Sequence, residues 1–215
     1  MPPIVISALI IIVLAILFFV LSVWTRGHIY SRLEREVSSG ELDAFYKRVD
    51  SHLTRALLAP YGRELLRFRA IASQGDRAAM AEQFNRLMRL KLTDYERSCV
   101  LTEGFNGFAA AGDAKHCRRI VEEMERGGFA DKALAAYRRH LDVALLGKQS
   151  GVAGLKAAYP QLRGARRAYV AYLLACACAS EHDEVAAKGY RKEAAALFGC
   201  AEADLAARAR VNTTV

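Results

Sequence analysis

Residues 62–92 read GRELLRFRAIASQGDRAAMAEQFNRLMRLKL, two apolar-periodic runs parted by Gly75-Asp76. Leucine, isoleucine and phenylalanine recur at three-and-four spacing on each side of the break, the period of a helix with one buried face. A glycine after the first helix supplies a left-handed cap, and the aspartate behind it caps the second. The same punctuation returns along the chain. Gly112-Asp113 separates YERSCVLTEGFNGFAAA from AKHCRRIVEEMERG, and Gly147-Lys148 and His182-Asp183 occupy the same place in two further units, at intervals of 37, 35 and 35 residues. Such a period implies stacked helical hairpins, because one hairpin alone leaves its apolar face in water and a neighbour covers it. Alternating runs of β-branched residues are absent from the sequence, so the soluble part reads as all-α.

Upstream, Leu42, Phe45, Tyr46, Val49, Leu53, Leu57 and Leu58 form the apolar face of a leading helix that Pro60 stops, and Ser38-Ser39-Gly40 reads as a break before it. Ahead of that break lies PIVISALIIIVLAILFFVLSVW, Pro3 to Trp24, without a charged residue before Arg26. At about 1.5 Å per residue this run reaches roughly 33 Å as a helix, against a hydrocarbon core of about 30 Å. A cleaved secretory signal calls for a basic start and a small-residue cleavage site, and Met1-Pro2-Pro3 and the ending Trp24-Thr25-Arg26 supply neither. The run is therefore expected to stay in the membrane as a single span, with Trp24, Arg26 and Tyr30 at the interface. Arg26, Arg32 and Arg35 follow it, which by the positive-inside tendency places the N-terminus outside and the body in the cytoplasm, at an inner or plasma membrane. The small residues Ser7, Ala8, Ala15 and Ser22 make no Gly-x-x-x-Gly pairing motif.

Composition fits one domain behind an anchor. The 215 residues are 53% hydrophobic and carry 31 Lys plus Arg against 23 Asp plus Glu. That excess is spread through the chain, which reads as solvated helix faces beside an anionic leaflet. Cys99, Cys117, Cys176, Cys178 and Cys200 are odd in number and lie in Ala- and Leu-rich segments, where the thiol acts as a small hydrophobe and a reducing compartment is implied. Asn212-Thr213-Thr214 is a formal sequon that a cytoplasmic tail would never present to the glycosylation machinery.

Signs of catalysis or of a cofactor are lacking. Cys176 and Cys178 stand two apart on a helical pattern and so face nearly opposite sides, which cannot grip one ion. His116-Cys117 has no partner pair, and His28, His52, His140 and His182 are isolated in sequence. Gly147-Lys148-Gln149-Ser150 departs from a phosphate loop, with Asp142 where the first glycine would stand and Gln149 after the lysine, and Gly104-Phe105-Asn106-Gly107 sits inside a helical pattern without a preceding strand. The expectation is a protein that is not an enzyme, with no metal and no cofactor.

The hairpin pattern resembles the tetratricopeptide repeat family. Phe68, Ile71, Gly75, Asp76, Phe84 and Leu87 stand in family-like places in Gly62–Leu92; Tyr95–Gly127 is similar, and Asp131–Gln161 and Arg163–Phe198 carry fewer of the marks. The resemblance implies an α-solenoid of about four hairpins whose first helices line a concave groove for a protein partner. Groove-facing candidates, counted back from each turn, are Leu65 and Arg69, then Thr102, Glu103 and Asn106, then Tyr137 and Arg138, then Tyr169 and Tyr172. The family's clamp for a peptide carboxylate is not implied, because Leu65, Arg69, Glu103, Leu134 and Arg138 occupy its places and only Arg138 suits it. Asn106 to Gly128, NGFAAAGDAKHCRRIVEEMERGG, is also similar to pentatricopeptide repeats, which implies RNA binding as the alternative function; Asn106 alone stands in a base-reading place.

The organisation expected is an anchor at 3–24, a juxtamembrane linker at 25–40, a helical-repeat domain at 41–200 and a short helix with a flexible tail at 201–215. The function expected is a membrane-anchored scaffold or assembly factor that binds a membrane-associated protein partner, with neither nucleic acid nor a small-molecule substrate. Thr213-Thr214-Val215 has the form of a terminus that adds to a sheet edge.

Overall fold

The computed structural model describes residues 3–211, with side chains from Ile12 onward, so Asn212 and Thr213-Thr214-Val215 lie outside the described residues, as do the side chains of Ser7 and Ala8. Every regular element among those residues is helical and none is a strand. The chain divides into two compact units, Met1–Gln74 and Gly75–Val215, with the division at the Gly75-Asp76 turn.

The first unit contains α1 (Pro3–Ser39), α2 (Leu42–Val49), α3 (His52–Leu57) and α4 (Pro60–Gln74). At about 1.5 Å per residue α1 is roughly 55 Å long, more than a bilayer needs. Its two halves have different surroundings. From Ile12 to Trp24 the large apolar side chains are exposed, Phe18 at 75% and Trp24 at 66%, and the helix that carries them is long and apolar enough to cross a membrane. Farther along, Ile29, Tyr30, Leu33 and Val37 return at three-and-four spacing and pack with Phe45, Val49, Leu66 and Ala70 from α2 and α4. Residues 25–39, the juxtamembrane stretch, thus continue the helix until Gly40, whose φ of +80° turns the chain. Buried Glu36 holds that turn to α2 by accepting from Arg48 Nε at 2.8 Å.

One helix was expected between Leu42 and Leu58; two are found. Asp50-Ser51 interrupts the run because the Ser51 hydroxyl accepts the backbone N–H of Thr54 and starts α3 afresh.

The second unit contains α5 (Arg77–Met88), α6 (Asp94–Ala110), α7 (Ala114–Arg126), α8 (Asp131–His140), α9 (Val152–Ala158), α10 (Gly164–Ser180), α11 (Glu184–Phe198) and α12 (Leu205–Arg208). Its turns follow the sequence signals. Asp76, Asp113 and Asp183 each accept backbone N–H groups at the start of the next helix, and Thr93 with Glu96 forms a full capping box for α6. The third turn has no aspartate behind Gly147 and gains no such cap; α8 runs on as a π-helical turn, Leu141–Leu145, and α9 is only seven residues. Gln149 closes the gap by donating to the Ala177 carbonyl at 3.1 Å and the Ser180 hydroxyl at 2.9 Å.

At the fourth turn His182 takes φ +62°, where Gly75, Gly112 and Gly147 stand in the other three. A side chain in the left-handed region costs roughly 1–2 kcal/mol. His182→Gly is therefore expected to stabilise the protein by about 1 kcal/mol, seen as a raised urea midpoint with an unchanged slope.

Apolar packing in this unit is continuous from Val143 to Ala209. Val143, Leu155, Tyr159, Leu173, Leu174, Ala194, Leu205 and Ala209 belong to one buried cluster. Small side chains let α10 and α11 approach closely: Ala171, Ala177, Ala187 and Ala194 are all fully covered.

Candidate functional site

The second unit brings side chains from α6, α8 and α10 into one connected row. Thr102 and Asn106 stand a turn apart on α6, Tyr137 and His140 three apart on α8, and Tyr169 and Tyr172 three apart on α10, so each helix offers two neighbouring positions on one face. The Thr102 hydroxyl hydrogen-bonds the Tyr137 hydroxyl at 3.1 Å. Phe105 meets the Tyr137 ring edge-on at 4.9 Å and the His140 ring at 5.7 Å. His140 Nδ1 is 2.9 Å from the Tyr169 hydroxyl, and its ring lies 5.9 Å from Tyr172.

Burial decides the chemistry of this row. Tyr137 is fully covered and His140 is 2% exposed. Loss of solvent pushes the imidazole pKa down to about 4, and the same cause raises the hydroxyls of Tyr169 and Tyr172. Each therefore stays neutral at neutral pH. The row offers fixed hydrogen-bonding groups and aromatic surface rather than a base or nucleophile poised near pH 7.

Tyr137→Phe tests how tightly the row is built. Removing the hydroxyl leaves the Thr102 oxygen without this partner, at a cost of about 1–2 kcal/mol. The double change Tyr137→Phe with Thr102→Val is expected to recover part of that loss in a urea denaturation cycle.

The other members of the row's edge are held by the chain's own last described residues. After Gly199 the backbone turns through Glu202–Asp204 into α12, a single turn that packs on both α11 and α6. The backbone N–H of Val211 donates to Asn106 Oδ1 at 2.9 Å, and Arg210 Nη1 lies 3.5 Å from Glu103 Oε2. Leu205, Ala209 and Val211 are 3%, 1% and 4% exposed, while Arg210 is exposed.

Of the expected groove residues, Thr102, Glu103, Asn106, Tyr137, Tyr169 and Tyr172 fall in or beside this row. Arg138 points elsewhere, donating from Nε to Glu125 Oε1 at 2.9 Å. Leu65 and Arg69 belong to the first unit, where Leu65 is buried and Arg69 donates to Glu34 of α1 at 3.0 Å. Near the apolar stretch, Trp24 stacks on His28 at 5.6 Å, Arg26 is exposed, and Tyr30 packs against the core of the first unit.

Two features escaped the sequence reading. His140 stood alone in sequence, and its only signal was its place one turn beyond Tyr137. The docked tail had a fainter one, Leu205 and Ala209 four apart and followed by Val211.

Lys148, Gly104 and the cysteines have defined structural partners. Lys148 pairs with Asp142 at 2.8 Å, and the helix α6 runs through Gly104-Phe105-Asn106-Gly107. All five cysteines are free, with Cys117 donating to the Phe105 carbonyl at 3.6 Å and its thiol pKa raised by burial. Among the described residues, no group of three or more His, Cys, Asp or Glu side chains is placed to hold a metal ion. No protein-family model, curated protein or solved structure matches this chain.

Proposed function

We propose that this protein is a membrane-tethered scaffold whose helical hairpins stack, in the manner of tetratricopeptide repeats, to present the face braced by the α6–α8–α10 row to a protein partner. The observation that carries this reading is the row itself. Three successive first helices are locked together by paired polar and aromatic side chains bonded to one another beneath the surface, so a partner would meet a rigid face, reached at half-buried Thr102, Glu103 and Tyr169, with little entropy left to lose.

The apolar half of α1 supplies the tether, with the N-terminus outside and both units in the cytoplasm beside the basic juxtamembrane residues. A tether raises the effective concentration of a partner in the same membrane, so modest contacts suffice. RNA binding gains no support: Asn106, its one reading residue, is engaged by the Val211 backbone.

The reading is tested in the full chain, in its native membrane, with a photo-reactive phenylalanine placed at Glu103 or, as a control, at Val185, which is 87% exposed on α11. Light is expected to give adducts with a membrane-associated protein from position 103 and not from 185. Adducts with nucleic acid, or equal labelling from both positions, would overturn it.

A further inference from the structure

We propose that residues 205–211 are a built-in ligand of the α6 edge of this row, and that the outside partner enters with the same chemistry: a peptide segment carrying a small apolar residue, an arginine and a β-branched aliphatic residue in succession. The proposal rests on the partner-binding reading above and adds what is bound and what holds the site closed.

Three observations support it. First, the tail is held as a peptide is held. Asn106 takes a main-chain N–H, which any peptide segment can supply, while Glu103 faces Arg210. Main-chain bonding gives general affinity and the carboxylate gives the preference for a basic residue. Second, the tail cannot hold its own shape. α12 is four residues long, far below what is stable alone, so its order comes from the surface it lies on. Third, its grip is uneven. Leu205 and Ala209 belong to the large apolar cluster, whereas at the far end the Arg210 side chain is 57% exposed and its ion pair is long, the kind worth about 0–1 kcal/mol. Lifting that end gives up the burial of Val211 and its bond to Asn106, and little is added by the Arg210 pair.

Covalent attachment gives such a tail an effective concentration on the order of millimolar, enough to exclude a weak outside peptide. When only a fraction of molecules has the tail lifted, an outside ligand's apparent dissociation constant is its true one divided by that fraction. A tail docked more than about nine-tenths of the time therefore weakens the outside ligand at least tenfold.

The probe is a fluorescent peptide of residues 201–211, AEADLAARARV, titrated into the full chain in detergent micelles. Wild type is compared with Arg210→Glu plus Val211→Asp, which loosens the tail and leaves Glu103 and Asn106 in place. The variant is expected to bind the peptide at least tenfold more tightly, and a peptide with glutamate in place of its last arginine is expected to bind a few-fold more weakly. In wild type, an excess of the peptide should also speed hydrogen exchange at the amides of residues 209–211, a readout that does not depend on the variant folding. Equal affinity in both proteins, binding to neither, or unchanged exchange would overturn the proposal. If that happens while position 103 still labels a membrane protein, only the built-in ligand falls; if position 103 labels none, the partner-binding reading falls with it.

Discussion

Gly104→Val is expected to prevent the second unit from folding, and Gly104→Ala to destabilise it by about 1–3 kcal/mol, the range for forcing extra atoms into a packed core. In an exposed helix the same change to alanine stabilises by roughly 1 kcal/mol, so the sign itself is the test. Gly104 lies in the middle of α6, buried, where Phe84 of α5 lies against its backbone. A β-carbon there would overlap the Phe84 ring, coming within 2.8 Å of Cδ2, and would reach 3.3 Å from Ile120 Cδ1 on α7. The ring has little room to withdraw, because it already meets Phe108 edge-on at 5.8 Å and is 8% exposed. Thermal and urea unfolding would measure the loss. Shortening the obstacle should return it: Phe84→Leu in the Gly104→Ala background is expected to cost less than the two changes added separately. An increase in stability for Gly104→Ala would show that the close approach of α5 and α6 is wrong.

The second large effect is acid sensitivity through His140. Its folded pKa of about 4 lies below the ordinary imidazole value near 6.5, because burial disfavours the charged ring. Above pH 6.5 the ring is neutral in both folded and unfolded chains and its contribution to stability is complete. Between 6.5 and 4 the unfolded chain binds a proton that the folded one refuses, so stability falls by up to about 1.4 kcal/mol per pH unit and by about 3 kcal/mol in all. Below pH 4 no further loss comes from this residue. Urea midpoints taken from pH 7.5 to 5 should show the fall, and His140→Phe should flatten it while lowering stability at pH 7.5, since the Tyr169 hydroxyl loses its partner at 2.9 Å. Carboxylates whose folded pKa is depressed, such as Glu193 beside the Tyr159 hydroxyl and Arg167, act at lower pH, where carboxylates titrate, and do not account for a slope between 6.5 and 5. Identical slopes in wild type and His140→Phe would remove His140 as the cause.

Local chemistry made much of the secondary structure legible. Gly75-Asp76, Gly112-Asp113 and His182-Asp183 announce helix ends through a left-handed residue and a capping carboxylate, and the structure ends and starts helices there. Where a local competitor was overlooked, the reading slipped: Ser51 captures the Thr54 amide and splits a run whose apolar spacing looked unbroken. The π-helical turn after His140 had no signal in the apolar period, because it preserves burial of Leu141 and Val143 while shifting the bonding by one residue. Counting residues back from each turn picks out Thr102, Asn106, Tyr137 and Tyr169 on α6, α8 and α10, and gives no sign that Arg138 pairs with Glu125 of α7.

By itself the amino-acid sequence determined that this chain is helical, where most of its helices stop, and that its first helix carries an exposed apolar stretch long enough to cross a membrane. Those are matters of periodicity, capping and transfer energy, which act over a few neighbouring residues. Only the tertiary structure decided that His140 bridges Tyr137's helix to Tyr169, and that Val211 returns across 105 residues to Asn106. Such contacts depend on which buried polar groups must find partners once the helices have packed, and that requirement is met by proximity in space that no local pattern encodes.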